Sequence, residues 1–239
     1  MGVKIMAEAG FNHMGDLSLA KRMADAARDA EADCIIFRGG KGNPSFSKEI
    51  IKTELTLNAF AELKQYCRNI GIDYVFIPQD VDSIHFFYGM DMEAWRISFE
   101  DMNNAEFLIR VARTGKPVIM STGMKDVEEI RQSLLLLLGN GCGRITLLHG
   151  NSAFPVDYEA VHLKEMLYLK EEFDVELGYS DHTVGIETAV AAVALGAGVI
   201  EKHFVLERKP GRDEDLACAT PEELARLVKA IRNVEKVLE

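Results

Sequence analysis

No run of 18 apolar residues occurs in the 239-residue sequence, and the densest one, LLLLL at 134–138, is far too short to cross a membrane and reads as part of a packed helix. Positive charge is in deficit. The 27 Lys and Arg face 38 Asp and Glu, giving a net charge of −11, which argues against a nucleic-acid groove while leaving room for a locally positive pocket. Cysteine is sparse. Cys34, Cys67, Cys142 and Cys218 form no CxxC pair, so neither a disulfide scaffold nor a zinc ribbon is expected, and reduced thiols in a cytoplasm are. The opening MGVKIMAEAG has no long apolar core or cleavage site, and its sixth residue is neither Ser nor Thr; a signal peptide and myristoylation are not expected. No GxGxxG turn follows the first strand pattern, which removes support for a dinucleotide-binding open sheet. No linker or low-complexity stretch divides the chain.

What is present is an alternation of strand and helix patterns, eight times over. Short β-rich runs fall at 4–10, 34–40, 73–79, 94–100, 117–123, 145–151, 176–182 and 199–205. Several are unbroken apolar runs, as strands covered on both faces require. Between them lie amphipathic stretches such as SLAKRMADAARDA at 18–30. AEFLIRVARTG is expected to stop at Gly115, and the last helix to open on Thr220 as N-cap, Pro221 at N1 and Glu223 at N3. Eight units of ~30 residues suit a single-domain (β/α)8 TIM barrel over residues 1–239. The long non-helical connection 41–55 reads as a loop on the catalytic face.

Barrel chemistry sits at the carboxyl ends of the strands. Those ends carry Glu8, Asn12 and His13; Arg38; Gln79 and Asp80; Arg96, Ser98 and Asp101; Ser121 and Thr122; His149, Asn151 and Ser152; Ser180, Asp181 and His182; and His203. His182 and His203 close neighbouring strands ~4.8 Å apart, so both rings can meet one ion, with Glu8 or Asp213 completing an open site for a Mn²⁺-, Fe²⁺- or Co²⁺-type cation. Equally, each histidine can simply bond a backbone carbonyl. Glu8 is either a base or ligand, or a buried carboxylate paired with Arg38 or Arg96. His13 either faces the site or caps a helix start. STGM at 121–124 offers hydroxyls and N–H groups to an anion. His85 and His162 read as surface or packing residues in helical patterns.

Four stretches, AEAGFNHMGDLSLAKRMADAARDAEAD, TGKPVIMSTGM, LLHGNSAFPVDYEAVHL and YSDHTVGIETAVAAVALGAGVIEKHF, resemble the sialic acid synthase family across nearly the whole chain. The resemblance implies a TIM barrel that condenses phosphoenolpyruvate with N-acetylmannosamine or a related acylamino sugar. It implies a divalent metal, Mn²⁺ or Mg²⁺, on His182 and His203, with Glu8 beside metal and aldehyde and Asp213 of PGRD matching a family aspartate. In the implied reaction the metal polarises the aldehyde, C3 of phosphoenolpyruvate attacks it, water adds at C2, and phosphate leaves. Glu8, Arg96, Asp101 and Asp213 are the expected catalytic residues. Asn12, His13, Arg38, Ser121, Ser152 and Ser180 are expected to bind substrate.

The sequence departs from the family where the anion would bind. Ile36 stands for a lysine, Arg38 for a glutamine, Ile77 for a threonine, Arg96 for a lysine and Phe99 for a serine; Ser152 is kept, while Gly150 and Phe154 replace a cysteine and a tyrosine. A lost charge-assisted hydrogen bond is worth ~1.5–3 kcal/mol, for which the Arg38 fork would compensate in part. The family's C-terminal antifreeze-like domain is also expected to be absent, since the sequence stops near where its linker would begin. These departures keep two rivals open: a metal-dependent aldolase, lyase or isomerase on another oxoacid or sugar, and a non-catalytic barrel subunit. The expected partner is a small anionic or sugar substrate, with no nucleic acid and no membrane; for assembly the expectation leans to a homodimer.

Overall fold

The computed structural model describes residues 2–39 and 54–238. The loop expected over 41–55 lies, apart from its last two residues, outside them. Strands β1 (Lys4–Gly10), β2 (Cys34–Gly39), β3 (Asp73–Pro78), β4 (Trp95–Ile97), β5 (Val118–Ser121), β6 (Ile145–His149), β7 (Glu176–Asp181) and β8 (Val199–His203) alternate with helices. These are α1 (Leu17–Asp29), α2 (Leu57–Ile70), α3 (Val81–Tyr88), α4 (Ala105–Ala112), α5 (Val127–Gly139), α6 (Glu165–Glu172), α7 (Glu187–Ala194) and α8 (Pro221–Leu238). All strand pairs are parallel, in the order β3-β2-β1-β8-β7-β6-β5-β4. β3 and β4 lie side by side at the seam, so the sheet is a nearly closed barrel with helices outside, the (β/α)8 fold the alternation predicts.

Local chemistry explains most element ends. Asp16, Thr56, Asp80, Asn104 and Asp126 each accept a hydrogen bond from a first-turn amide, which satisfies a donor the helix leaves unpaired. The predicted cap of α8 forms in both directions: Thr220 Oγ1 accepts from the Glu223 amide at 3.4 Å, and Glu223 Oε2 accepts from the Thr220 amide at 2.9 Å. α4 stops at Ala112, earlier than expected, and Gly115 follows it at φ +70°. The strand expected over 94–100 is only three residues long, because Phe99–Asp101 turn into a 3-10 helix. His162 lies outside any helix, at φ +48°, and it and His85 are exposed. The leucine run falls on α5, where Leu134 and Leu137 are buried while Leu135 and Leu138 are exposed. All four cysteines are free and buried, and among the described residues no helix is long and apolar enough to cross a membrane.

Two-residue alternation divides the apolar residues into two layers. Ile5, Ala7, Phe37, Phe76, Trp95, Leu147 and Ile200 join the helices in the large outer core. Met6, Cys34, Ile36, Val75, Ile77, Ala94, Ile119, Leu148 and Val199 form a separate cluster that fills the barrel. β7 adds Gly178 there because the space is taken: a Cβ would sit 2.4 Å from Leu148 Cδ2 and 2.5 Å from the Val199 carbonyl.

Above this plug the inward positions become charged. Arg96 of β4 reaches across to Glu201 of β8 with two parallel bonds, Nε to Oε2 at 2.6 Å and Nη2 to Oε1 at 2.7 Å. Ser180 Oγ donates to Glu201 Oε1 at 2.7 Å, and Arg96 Nη1 donates to Ser121 Oγ at 3.1 Å. Both charged side chains are essentially out of water. On the outer face, Lys202 Nζ meets Asp181 Oδ2 at 2.9 Å and the Thr183 carbonyl at 2.6 Å. Removing one member of a buried pair strands the other, which costs ~3–5 kcal/mol. Glu201→Ala should therefore lower unfolding free energy by about that much in urea titration, with Glu201→Gln falling between it and wild type. A loss below about 1 kcal/mol for Glu201→Ala would remove the strut from the account of barrel stability.

Candidate active site

Parallel register places the two strand-ending histidines. Glu8 pairs directly with His203 across β1 and β8, and Ser180 with Glu201 across β7 and β8. Inward-facing residues on β8 are thus Glu201 and then His203, one step higher. A register shift after Glu8 in β1 breaks the regular ladder at the strand's carboxyl end. Glu8 is buried and bridges two partners: Oε1 accepts from Arg38 Nε at 2.9 Å, and Oε2 lies 3.4 Å from His203 Nε2. The His182 and His203 rings stand 5.0 Å apart between centroids, tilted by 54°. Phe154 packs edge-on against both, at 5.0 and 4.5 Å.

Burial sets the ionisation of this cluster. It pushes the His203 imidazole down to about 3 against the pull of the Glu8 carboxylate, and it lowers His182 as well. Burial alone would raise Glu8, but the His203 ring and the Arg38 and Arg96 guanidiniums hold its carboxyl well below the usual carboxylate range. The result near neutral pH is two neutral imidazoles beside an ionised carboxylate. His182 Nδ1 lies 3.3 Å from the Ala153 carbonyl, which can only accept; the Nε2 lone pair is then left for a ligand. Two lone-pair nitrogens and a carboxylate suit a divalent transition ion. Among the described residues no three His, Cys, Asp or Glu side chains already converge as a cage, and Arg38 occupies one Glu8 oxygen.

Beside the histidines is a small pocket, about 20 Å³ in volume, lined by Glu8, Arg38, Arg96, Ser98, Phe99, Ser121, Gly123, Gly150, Asn151, Ser180 and His182. Six of the twelve residues expected at the site line it: Glu8, Arg38, Arg96, Ser121, Ser180 and His182. His203 joins them through Glu8. The other five lie elsewhere. Asn12 donates to the Phe204 carbonyl at 3.1 Å and lines a separate groove with Arg22 and Lys209. His13 is fully buried, accepting from the Gly15 amide at 3.1 Å and packing on Phe37; burial pushes it down to about 4. Ser152 and Asp213 are exposed and outside the pocket lining. Asp101 is buried behind the pocket, its carboxyl pushed up to about 6 by burial and by Glu100. His149 and Asp181, also at strand ends, point outward, to the Val161 carbonyl and to Lys202.

The sequence reading did not name Glu201 and gave Ser98 only as a strand end. Glu201 is central, and the spacing Glu201–His203 in a barrel strand was the available signal, since residues two apart share a face. Ser98 lines the pocket, and its buried Oγ has no hydrogen-bond partner, so a ligand oxygen would satisfy it. The apolar replacements are also accounted for. Ile36 and Ile77 belong to the barrel plug, and Phe99 lies over Gly123, where a Cβ would come 2.6 Å from its ring.

Comparison with known proteins agrees with this geometry. The NeuB family matches residues 21–239. An uncharacterised protein of Methanocaldococcus jannaschii is 41% identical over 98% of this chain and 71% of its own length. The N,N'-diacetyllegionaminic acid synthase of Campylobacter jejuni is 36% identical over 98% of this chain and 77% of its own. Among solved structures, the N-acetylneuraminic acid (sialic acid) synthetase of Leptospira borgpetersenii, in complex with citrate, superposes with a TM-score of 0.93 at 33% identity, covering all of this chain and 85% of that one. With a buried carboxylate between an arginine and a histidine at the mouth of such a barrel, the chain belongs to the NeuB family of sialic acid synthase-like proteins.

Proposed function

We propose that the chain is a divalent-cation-dependent condensing enzyme that joins phosphoenolpyruvate to the aldehyde of an acylamino sugar, with release of phosphate. The observation that carries this reading is the placement of neutral His203 between neutral His182 and ionised Glu8 at the mouth of a NeuB-family barrel. His182, His203 and Glu8 are the residues that would hold the ion. When bound, such an ion supplies a Lewis acid to a carbonyl oxygen.

The rest of the work falls to the chain's own groups. Arg38 is the less buried of the pocket's two guanidiniums and the natural partner for a carboxylate or phosphate. Ser98 and Ser121 present hydroxyls, and Asn151 an amide, to ligand oxygens in a pocket with little water, where each hydrogen bond counts for more than in bulk solvent. Phe99 and Phe154 wall the site and keep water from the reacting carbons. Behind the lining, burial and Glu100 push the Asp101 carboxyl up to about 6, so it takes up a proton more readily than ionised Glu8. One observation favours a second reading. Arg38 and Arg96 are both already paired with carboxylates, which suits a less charged oxoacid handled by an aldolase or lyase.

Incubation with phosphoenolpyruvate, Mn²⁺ and N-acetylmannosamine or a diacetylated hexosamine should release inorganic phosphate. His182→Ala and His203→Ala should each lower that rate at least about 100-fold, as loss of a metal ligand does. Absence of phosphate release with every acylamino sugar, alongside cleavage or isomerisation of an unphosphorylated oxoacid, would move the assignment to the second reading. Manganese affinity supplies a pH check. Two histidines at the ordinary 6.5 would each be about three-quarters protonated at pH 6, weakening a two-imidazole site more than about tenfold relative to pH 8. With His203 held near 3 and His182 lowered, the dissociation constant should instead rise less than about fivefold between pH 8 and 6, as read by Mn²⁺ electron paramagnetic resonance.

A further inference from the structure

The charges around the pocket do not favour an anion as they stand. Three carboxylates, Glu8, Glu100 and Glu201, surround two guanidiniums, Arg38 and Arg96, leaving one formal negative charge. The two arginines are committed to different degrees. Arg96 is 2% exposed; Nε and Nη2 grip both oxygens of Glu201, and Nη1 donates to Ser121. With Nη1 also donating to the Ile97 carbonyl, four of its five N–H groups are engaged. The Arg38 side chain keeps 17% of its surface, and among the described residues its one hydrogen bond to a carboxylate runs from Nε to Glu8 Oε1. Its Nη1 is 3.6 Å from Glu100 Oε2, beyond hydrogen-bond range, and Glu100 is itself partly in solvent.

We propose that Arg38 is the specificity-determining anion clamp of this site, held by Glu8 until a divalent cation takes that carboxylate and frees the guanidinium for a substrate carboxylate. The inference rests on the reading given under Proposed function. Glu8 stands between the two groups it would serve in turn, Arg38 on Oε1 and His203 on Oε2. A doubly charged ion there turns the local sum from −1 to +1. It also competes directly with Arg38 for Glu8. The freed fork faces the same pocket as the unpartnered Ser98 hydroxyl, so a ligand carboxylate entering there meets a planar two-donor group and an orphaned donor together. Cation and anion binding are then positively coupled, and Arg38 opposes the first while serving the second.

Binding measurements separate these roles without any turnover. Mn²⁺ affinity is read by electron paramagnetic resonance, and phosphoenolpyruvate affinity by calorimetry with no sugar present. In wild type, saturating Mn²⁺ should tighten phosphoenolpyruvate binding at least about tenfold. Arg38→Gln should bind Mn²⁺ several-fold more tightly than wild type, because Glu8 has lost its competitor, while losing most of its phosphoenolpyruvate affinity in Mn²⁺. Arg38→Lys keeps the charge without the fork. It should bind phosphoenolpyruvate about tenfold more weakly than wild type in Mn²⁺, and it carries the test if thermal melting shows Arg38→Gln unfolded. Equal Mn²⁺ affinity in wild type and Arg38→Gln, or wild-type phosphoenolpyruvate affinity in Arg38→Lys, overturns the clamp and leaves the proposed function standing. Wild-type protein that binds no Mn²⁺ overturns both.

Discussion

A charge inside a closed barrel cannot reach water, so it must meet an opposite charge on another strand, and the arrangement of the whole catalytic face follows from that requirement. Arg96 and Glu201 meet across the barrel, Arg38 and Glu8 meet between neighbouring strands, and Lys202 and Asp181 meet on the outer face. The first pair marks the level at which the apolar plug ends and the pocket begins. Below it, Met6, Ile36, Ile77 and Leu148 leave no room for polar atoms. Above it, every inward position on β1, β2, β7 and β8 is polar or small.

The same burial that demands pairing also fixes protonation. Glu8 is ionised because guanidiniums surround it, and His203 is neutral because its ring has lost its water. Those two states are the ones a divalent cation requires, and no separate tuning is needed. Stability and chemistry here share a cause: the residues that keep Glu8 charged are the residues that shape the pocket. That overlap is why Arg38 reads both as a structural partner and as a ligand-binding group.

The relation to the NeuB relatives is uneven in an informative way. The resemblance read from the sequence implies that the histidines and carboxylate at the carboxyl ends of β1, β7 and β8 are shared, and the fold around them agrees with that of the sialic acid synthetase. The departures that resemblance implies fall on β2, on β3 and just after β4, where Ile36 and Ile77 belong to the apolar plug and Phe99 lines the pocket. A site altered in this direction relies more on the few cations it keeps, and Arg38 is the one with room to move.

The alternation of apolar runs and amphipathic stretches sufficed for the barrel, because strand and helix periods are local properties and eight repeats of ~30 residues have few other ways to close. Caps such as Thr220–Glu223 were equally legible, since both partners sit within one turn. The neighbouring placement of His182 and His203, and of Glu8 beside His203, followed from strand adjacency and the rule that barrel residues meet at the carboxyl ends. Direction was harder. His149, Asp181 and His203 all end strands, yet only His203 turns inward, and the starting phase of each two-residue alternation is set by how the strand packs on its helices. Pairings such as Arg96 with Glu201, 105 residues apart, lay further out of reach. They depend on barrel diameter and stagger, quantities that exist only once the sheet has closed. The amino-acid order thus determined which groups reach the rim, and tertiary closure alone decided which of them share a charge.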